Sequence, residues 1–169
     1  METTARLYSL TYKESKTYLF ALLFIVGNIV LPQLSHLIPG GGLMWLPIYF
    51  FTLIASYKYG LRVGLLTAIL SPLINNLLFG MPPVDVLHII LTKSSLLAIA
   101  AASAARYFEK VSFWAILGVV ISYQVIGTLV EWVMVKDLFV ALQDFRIGVP
   151  GMLIQLFGGF ALLKAIAKL

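Results

Sequence analysis

VDVLHIILTKSSLLAIAAASAA, residues 84–105, is a stretch long and apolar enough to cross a lipid bilayer as one helix. A membrane helix needs about 20 predominantly apolar residues. This stretch nevertheless contains an acid, an imidazole and an ammonium group, at Asp85, His88 and Lys93. Because hydrocarbon rejects such groups, they indicate a place where other helices, water or a ligand receive them.

The rest of the chain has the same apolar character. Of its 169 residues, 61% are hydrophobic and only 11% are charged, against about 25% charged in soluble domains. The mean hydropathy is +1.00. This composition predicts an all-α membrane protein with a single transmembrane domain, residues 1–169. Cysteine is absent from the sequence, which excludes disulfides, thiolate catalysis and zinc–cysteine clusters.

Six apolar windows predict a bundle of six transmembrane helices. The turn sequences IPGGG (38–42) and GMPP (80–83) separate some of them, because proline lacks a backbone donor and glycine accepts positive φ. The predicted spans are 17–38, 43–58, 60–79, 84–105, 112–134 and 147–166.

The cations predict the orientation of this bundle. They are Arg6, Lys13 and Lys16 before the first span, Lys58 and Arg62 in the second connection, Arg106 and Lys110 in the fourth, and Lys164 and Lys168 at the end. By the positive-inside rule, both termini, including segment 1–16, and the even-numbered connections are expected to be cytoplasmic. The same rule explains the formal charge of +5, so we expect no nucleic-acid partner.

The polar residues of the fourth span follow a helical spacing. Asp85, His88, Thr92 and Ser95 are separated by three, four and three residues, which puts them on one stripe that should face protein or water. Lys93 lies about 12 Å further into the membrane than Asp85. It either pairs with an acid, or extends to the interface, or contacts a ligand, or serves only in helix packing. For His88, a hydrogen-bonded packing role competes with ligand contact.

The fifth span offers a matching face. Gln124, Thr128 and Glu131 are spaced by four and three residues, so they also share one face. If the two helices are neighbours, Glu131 lies at a depth close to that of Lys93. We therefore predict a Lys93–Glu131 pair. Because such a pair seldom repays its desolvation, it would be better evidence for a site than for stability.

Further polar and aromatic residues fall in the outer half of the predicted bundle. Gln155 shares a face with Gly151 and Gly159, where either a helix or a ligand approaches closely. The side-chain amides of Asn75 and Asn76, near Pro72, either cap a kinked helix or donate to a ligand. Trp45 belongs either to an interfacial aromatic belt or to the site. The candidate ligand-binding residues are Trp45, Asn75, Asn76, Asp85, His88, Thr92, Lys93, Gln124, Glu131 and Gln155.

On these features the chain resembles the substrate-binding S components of energy-coupling factor (ECF) transporters. The resemblance extends over nearly the whole chain. It depends on size, six spans with both termini inside, and the segment GGLMWLPIYFFTLIASYKYGLRVGLLTAILSPLINNLLFG (41–80), with its Leu46-Pro47-Ile48, Tyr59-Gly60 and Gly80 positions. The Ala-xxx-Ala pattern that such proteins carry on the first span is replaced here by Ala21 and Gly27 without that spacing.

The resemblance implies a function and partners. S components capture vitamins and related micronutrients near the outer face and deliver them inward on a shared transmembrane coupling subunit driven by two ATPases. It also implies residence in a bacterial or archaeal inner membrane. The sequence contains no GxxxxGK[ST] phosphate loop, so the energy would come from those partners.

Other classes of function remain open at this point. A structural scaffold of the rod-shape-determining type would have partner contacts and no polar pocket, and a solitary uptake permease would work without ATPases. His36 and His88 are isolated, and the sequence has neither an HExxH zinc motif nor a catalytic Ser, His and acid set. We therefore expect no enzyme activity, no metal site and no cofactor.

Overall fold

The computed structural model describes residues 3–4 and 7–168, and most of them are helical. A 3-10 turn spans Pro47–Tyr49, and a π-helical turn spans Ile154–Gly158. The helices are α1 (Ser15–Ser35), α2 (Gly41–Trp45), α3 (Phe50–Tyr59), α4 (Leu61–Phe79), α5 (Val84–Phe108), α6 (Phe113–Val135), α7 (Leu138–Ala141), α8 (Gln143–Arg146) and α9 (Val149–Ala165).

Four helices, α1, α4, α5 and α6, are long and apolar enough to cross a membrane. They match the first, third, fourth and fifth predicted spans to within a few residues. Helix α5 packs against α3, α4 and α6, so the polar stretch of the sequence lies in the middle of the bundle. These features agree with the predicted all-α membrane protein.

The second and sixth predicted spans are helical but shorter. Residues 43–58 divide into α2, the 3-10 turn and α3, and the break falls at Leu46, which has a positive φ of 47°. Pro47 causes this break, because a residue before proline is disfavoured in the α-helical conformation. Helix α9 is an apolar helix below the length of the four long ones.

One face of α1 presents apolar side chains to the surroundings. Their exposure is too extensive for a typical water-soluble monomer, in which apolar patches of this kind are small. The surface suits contact with lipid. The exposed residues on this helix include Leu19, Leu22, Leu23, Val26 and Val30.

A buried amide on α1 locks three helices together. Asn28 Nδ2 donates to Thr52 Oγ1 on α3 at 3.0 Å and to Ser71 Oγ on α4 at 3.4 Å, while the backbone N–H of Phe51 donates to Asn28 Oδ1 at 3.2 Å. Side-chain hydrogen bonds of this kind join helices where lipid gives no hydrophobic drive for association.

Two short strands, which the sequence pattern did not predict, hold the N-terminal segment. Strand β1 (Thr3–Thr4) pairs antiparallel with β2 (Lys110–Val111). Further along, the Tyr8 N–H donates to the Lys58 carbonyl at 2.8 Å, and Arg62 Nη1 donates to the Leu10 carbonyl at 3.2 Å. The N-terminal segment therefore lies across the α3–α4 and α5–α6 connections.

The C-terminal segment reaches the same end of the bundle. Lys58 Nζ donates to the Ala167 carbonyl at 3.1 Å, and the Tyr57 hydroxyl donates to the Lys110 carbonyl at 2.7 Å. We call this end, marked by Lys58, Arg62 and Lys110, the basic end. Arg6, one of the cations used to predict orientation, lies outside the described residues.

Candidate ligand-binding site

Lys93 is buried between two carboxylates. Its Nζ lies 2.5 Å from Glu131 Oε2 and 2.8 Å from Asp144 Oδ2. The lysine side chain is 3% exposed, and each carboxylate side chain is 11% exposed. The predicted Lys93–Glu131 pair is confirmed, and a second acid joins it.

The buried face of α5 directs Lys93 into the bundle. Val86, Ile90, Lys93 and Leu97 are spaced by four, three and four residues, so they lie on one face. Lys93 lies about 13 Å along the helix from its start at Val84, at 1.5 Å per residue. An ammonium at that depth needs partners inside the protein.

Helix α6 makes room for the lysine where it crosses α5. A Cβ atom at Gly127 would lie 2.8 Å from Lys93 Cγ, so a larger residue would displace the lysine side chain. Beside this glycine, Gln124 and Thr128 are buried and share a face with Glu131, as their spacing predicted. The glycine and the polar face together form the α6 side of the site.

A hydrogen-bonded chain connects α6 with α9. Gln124 Nε2 donates to the Tyr123 hydroxyl at 3.1 Å, and this hydroxyl donates to Gln155 Oε1 at 2.7 Å. Gln155 belongs to the π-helical turn of α9. Turns of this type are rare in proteins. Where they occur, they frequently lie at functional sites, because the extra residue redirects a side chain.

The fifth connection supplies the second carboxylate. Asp144 lies in the four-residue helix α8, which follows α7 directly. The Asp137 side chain caps α7 by accepting from the N–H groups of Phe139 and Val140, and the Arg146 guanidinium lies 3.6 Å from the centroid of the Phe139 ring. These contacts hold the connection folded over the end of the site.

The 3-10 turn between α2 and α3 contributes an aromatic wall. Tyr49 is buried, its ring centroid lies 5.6 Å from that of Tyr123, and it lies within electrostatic reach of Asp144 and Glu131. The two rings therefore stand beside the carboxylates. Aromatic faces of this kind are common lining groups in small-molecule sites.

Leu46 anchors this wall against the sixth apolar segment. Its left-handed backbone costs about 1–2 kcal/mol for a residue other than glycine. Cβ atoms at Gly148 and Gly151 would each lie 2.9 Å from Leu46 side-chain atoms, so these glycines leave the space that the leucine fills. Packing of Leu46 into this space compensates for the backbone conformation.

Several buried polar atoms on α2, α6 and α9 lack hydrogen-bond partners among the residues that the structure describes. An unpaired buried polar group costs about 1–3 kcal/mol, so a cluster of them indicates a partner that comes from outside the chain. The atoms are Trp45 Nε1, Gln124 Oε1, Thr128 Oγ1 and Gln155 Nε2. We call the group Tyr49, Lys93, Tyr123, Gln124, Thr128, Glu131, Asp144 and Gln155 the Lys93 site.

A cavity of about 350 Å³ opens between the first and third connections. Val86 and Ile90 line it, and both lie on the same face of α5 as Lys93, closer to the start of the helix. The cavity therefore lies on the approach to the Lys93 site from the end opposite the basic end. Its other lining residues include Pro32, His36, Gly40, Leu43, Ile48, Asn75 and Pro82.

The two predicted asparagines support this cavity. Asn75 is buried, and its Nδ2 donates to the carbonyls of Asn28 at 2.9 Å and Ser71 at 3.1 Å. Asn76 Nδ2 donates to the Pro82 carbonyl at 2.7 Å and so holds the third connection. Both amides thus bind backbone, which is the structural alternative that the sequence left open.

Trp45 borders a second cavity, of about 310 Å³. This cavity is almost entirely apolar and lies between α1, the first connection and α9. Its lining residues are Leu31, Leu34, Ser35, Ile38, Trp45, Pro47, Phe50 and Ile154. Trp45 is therefore placed at this second cavity and not at the ion pairs of Lys93.

Three further predicted site residues, all on α5, are not brought to Lys93. Asp85 and His88 are exposed, and the Thr92 hydroxyl donates to the His88 carbonyl at 2.8 Å within α5. Lys93 follows Thr92 directly and so points about 100° away around the helix axis. The predicted stripe exists, but it lies beside the buried face that carries the lysine.

The site also contains Asp144, Tyr49, Tyr123 and Thr128, which are not among the ligand-binding residues predicted from the sequence. Thr128 shares the spacing of Gln124 and Glu131 and could have been added on that ground. Asp144 is 51 positions from Lys93. Its only sequence signal is an acid in an outer connection, which does not distinguish it from Asp137.

No family model, curated protein or solved structure matches this chain. The side chains of the Lys93 site are therefore the basis on which a function is assigned.

Proposed function

We propose that this chain is the substrate-binding membrane subunit of a micronutrient uptake transporter, similar to the S components of ECF transporters. In this proposal it captures a small, vitamin-like ligand at the outer face of a bacterial or archaeal cell membrane. The observation that carries the proposal is a buried ammonium between two carboxylates, beside buried polar atoms that lack partners in the described part of the chain.

The proposed topology has six crossings with both termini in the cytoplasm. Both terminal segments and the α3–α4 and α5–α6 connections meet at the basic end, which supports a common side for them. Cations concentrate there, as the positive-inside rule requires. Segments α2–α3 and α9 provide the two shorter crossings, so the first, third and fifth connections face outward.

Energetics favour a binding role for the Lys93 site. Replacing a buried ion pair by apolar side chains of similar volume is often neutral or stabilising, by about 1–4 kcal/mol. A protein that only needed to pack these helices would therefore gain little from Lys93, Glu131 and Asp144. A protein that must recognise a polar ligand needs charged and amide groups held in place before the ligand arrives.

Transport requires partners in this proposal. The sequence contains no phosphate-binding loop, so a coupling subunit and two ATPases would supply the energy. The Lys93 site lies toward the end opposite the basic end, which suits capture from outside and release toward the cytoplasm.

A structural scaffold is the second candidate, and one observation favours it. Lys93 is already paired with two carboxylates, so the ion pairs alone could serve to fix how α5 and α6 pack. A scaffold of this kind would bind no small molecule. A solitary permease would bind one but would transport it without ATPase partners.

The test is to purify the protein from its host membrane in detergent and to analyse released small molecules by mass spectrometry. A thermal-shift panel with thiamine, riboflavin, pyridoxine and biotin accompanies it. We expect one compound to co-purify in stoichiometric amount, or one vitamin to raise the Tm by several degrees. Protein that releases no compound and shows no shift with any panel member would support the scaffold instead.

A further inference from the structure

The Lys93 site contains two acidic side chains and one basic side chain. Glu131 and Asp144 both make their ion pairs with the same lysine, in the part of the chain that the structure describes. One ammonium between two ionised carboxylates leaves one negative charge uncompensated. Arg146, the nearest cation in sequence to Asp144, is exposed and lies over the Phe139 ring.

The surroundings of the carboxylates cannot substitute for a second cation. The site is nearly closed to solvent, and an uncompensated charge taken out of water is costly. The nearby side chains Gln124 and Thr128 each present an unpartnered oxygen, and each is at least nine-tenths buried. Unpartnered oxygen acceptors near two carboxylates favour a ligand group that donates hydrogen bonds and carries a positive charge.

The aromatic wall has the same preference. The faces of Tyr49 and Tyr123 attract cations because the π-system is negative above and below the ring. Both rings lie within electrostatic reach of Asp144. Two carboxylates, two tyrosine rings and the buried oxygens of Gln124 and Thr128 thus belong to the same site.

We propose that the ligand captured at the Lys93 site carries a positively charged nitrogen, as an ammonium, an amidinium or a quaternised aromatic ring. This nitrogen binds between Glu131 and Asp144 and the tyrosine wall, where it supplies the missing charge. Gln155 Nε2, an unpartnered buried donor in the described part of the chain, donates to a polar oxygen or nitrogen of the same ligand. The inference rests on the proposed ligand-binding function and specifies its substrate class.

The test uses three probes of the same size and shape that differ in charge: benzamidinium, benzamide and benzoate. Each is titrated at millimolar concentration into the purified full-length protein, and the Tm is measured. We expect benzamidinium to raise the Tm in a saturable way, and the neutral and anionic probes to leave it within about one degree. Stabilisation by benzoate, equal stabilisation by all three, or no stabilisation by benzamidinium would overturn the proposal.

Two variants locate the effect. Glu131→Gln and Asp144→Asn each remove the excess charge while keeping the side-chain shape, so the apparent Kd for benzamidinium should rise at least about tenfold. Glu109→Gln, at an exposed acid near the basic end, is the matched control and should bind the probe as the wild type does. Equal loss in the control would show that the probe binds a general surface charge, which contradicts the proposal.

The charge of any co-purified compound separates this inference from the proposed function. A released compound that is cationic at pH 7 supports both. A released compound that is neutral or anionic supports ligand capture but overturns the cation preference. Absence of any released compound together with no response to vitamins or probes counts against the proposed function itself.

Discussion

Gly127 of α6 lies directly against Lys93 of α5, so closely that a Cβ atom at residue 127 would lie 2.8 Å from Lys93 Cγ. The missing side chain is what allows the ammonium to reach Glu131 and Asp144. This relationship joins the packing of the two helices to the chemistry of the site.

Gly127→Ala should therefore damage both stability and binding. The added methyl group forces Lys93 to move, and overpacking of this kind typically costs about 1–3 kcal/mol. Thermal unfolding of the purified protein measures the change. Gly118→Ala on the same helix is the control, because nothing lies within 4 Å of a Cβ at that position. Equal Tm values for the two variants would contradict the close approach.

Removing the ammonium should leave two buried carboxylates without a partner. For Lys93→Met we expect a loss of about 3–5 kcal/mol, as is found when one member of a buried ion pair is deleted. Chemical denaturation provides the measurement, with Lys13→Met, at an exposed lysine, as control. The triple variant with Glu131→Gln and Asp144→Asn should recover part of the loss. A single variant as stable as the wild type would show that the carboxylates do not depend on Lys93.

Asn28 should be a major contributor to helix association. Asn28→Ala removes the hydrogen bonds that the Asn28 side chain makes with the Thr52 hydroxyl and the Phe51 N–H, and the expected cost is about 1–3 kcal/mol. The measurement is again the Tm of the purified protein. Val26→Ala, on the exposed face of the same helix, should change it by less than one degree. If both variants behave alike, the amide network does not hold α1 in place.

The proposed six-crossing topology can be mapped with introduced cysteines, because the native sequence has none. A membrane-impermeant maleimide applied to intact cells should label the outward positions only, and permeabilised cells should show labelling at all positions. Labelling of Tyr12 and Lys168 from opposite sides would contradict an even number of crossings. The outward positions are Leu37, Val84 and Leu138, and the inward positions are Tyr12, Leu61, Tyr107 and Lys168.

The main features of the bundle follow from the sequence because membrane length and helical period are strong constraints. The four long helices and the Lys93–Glu131 pair required only span length, a 3.6-residue period and the cost of charge in hydrocarbon. The same reasoning does not show that Asp85 and His88 lie on the exposed side of α5, because a shared stripe does not reveal which side of a helix faces its neighbours.

The rest of the site depends on irregular backbone, which has no simple sequence period. Asp144 reaches Lys93 only because two four-residue helices fold the fifth connection over the bundle. Gln155 is directed to Tyr123 from a π-helical turn, and Tyr49 follows the break at Leu46. Long-range contacts of this kind depend on tertiary packing, so residue spacing alone does not predict them.

The central claim is that Glu131 belongs to a ligand site, and one binding measurement tests it most directly. The compound released from the purified protein is titrated calorimetrically into the wild type, Glu131→Gln and Glu109→Gln, all expressed to similar levels. The account predicts that Glu131→Gln binds at least about tenfold more weakly, while Glu109→Gln binds as the wild type does. Unchanged affinity in Glu131→Gln would contradict it and leave Glu131 as a packing charge.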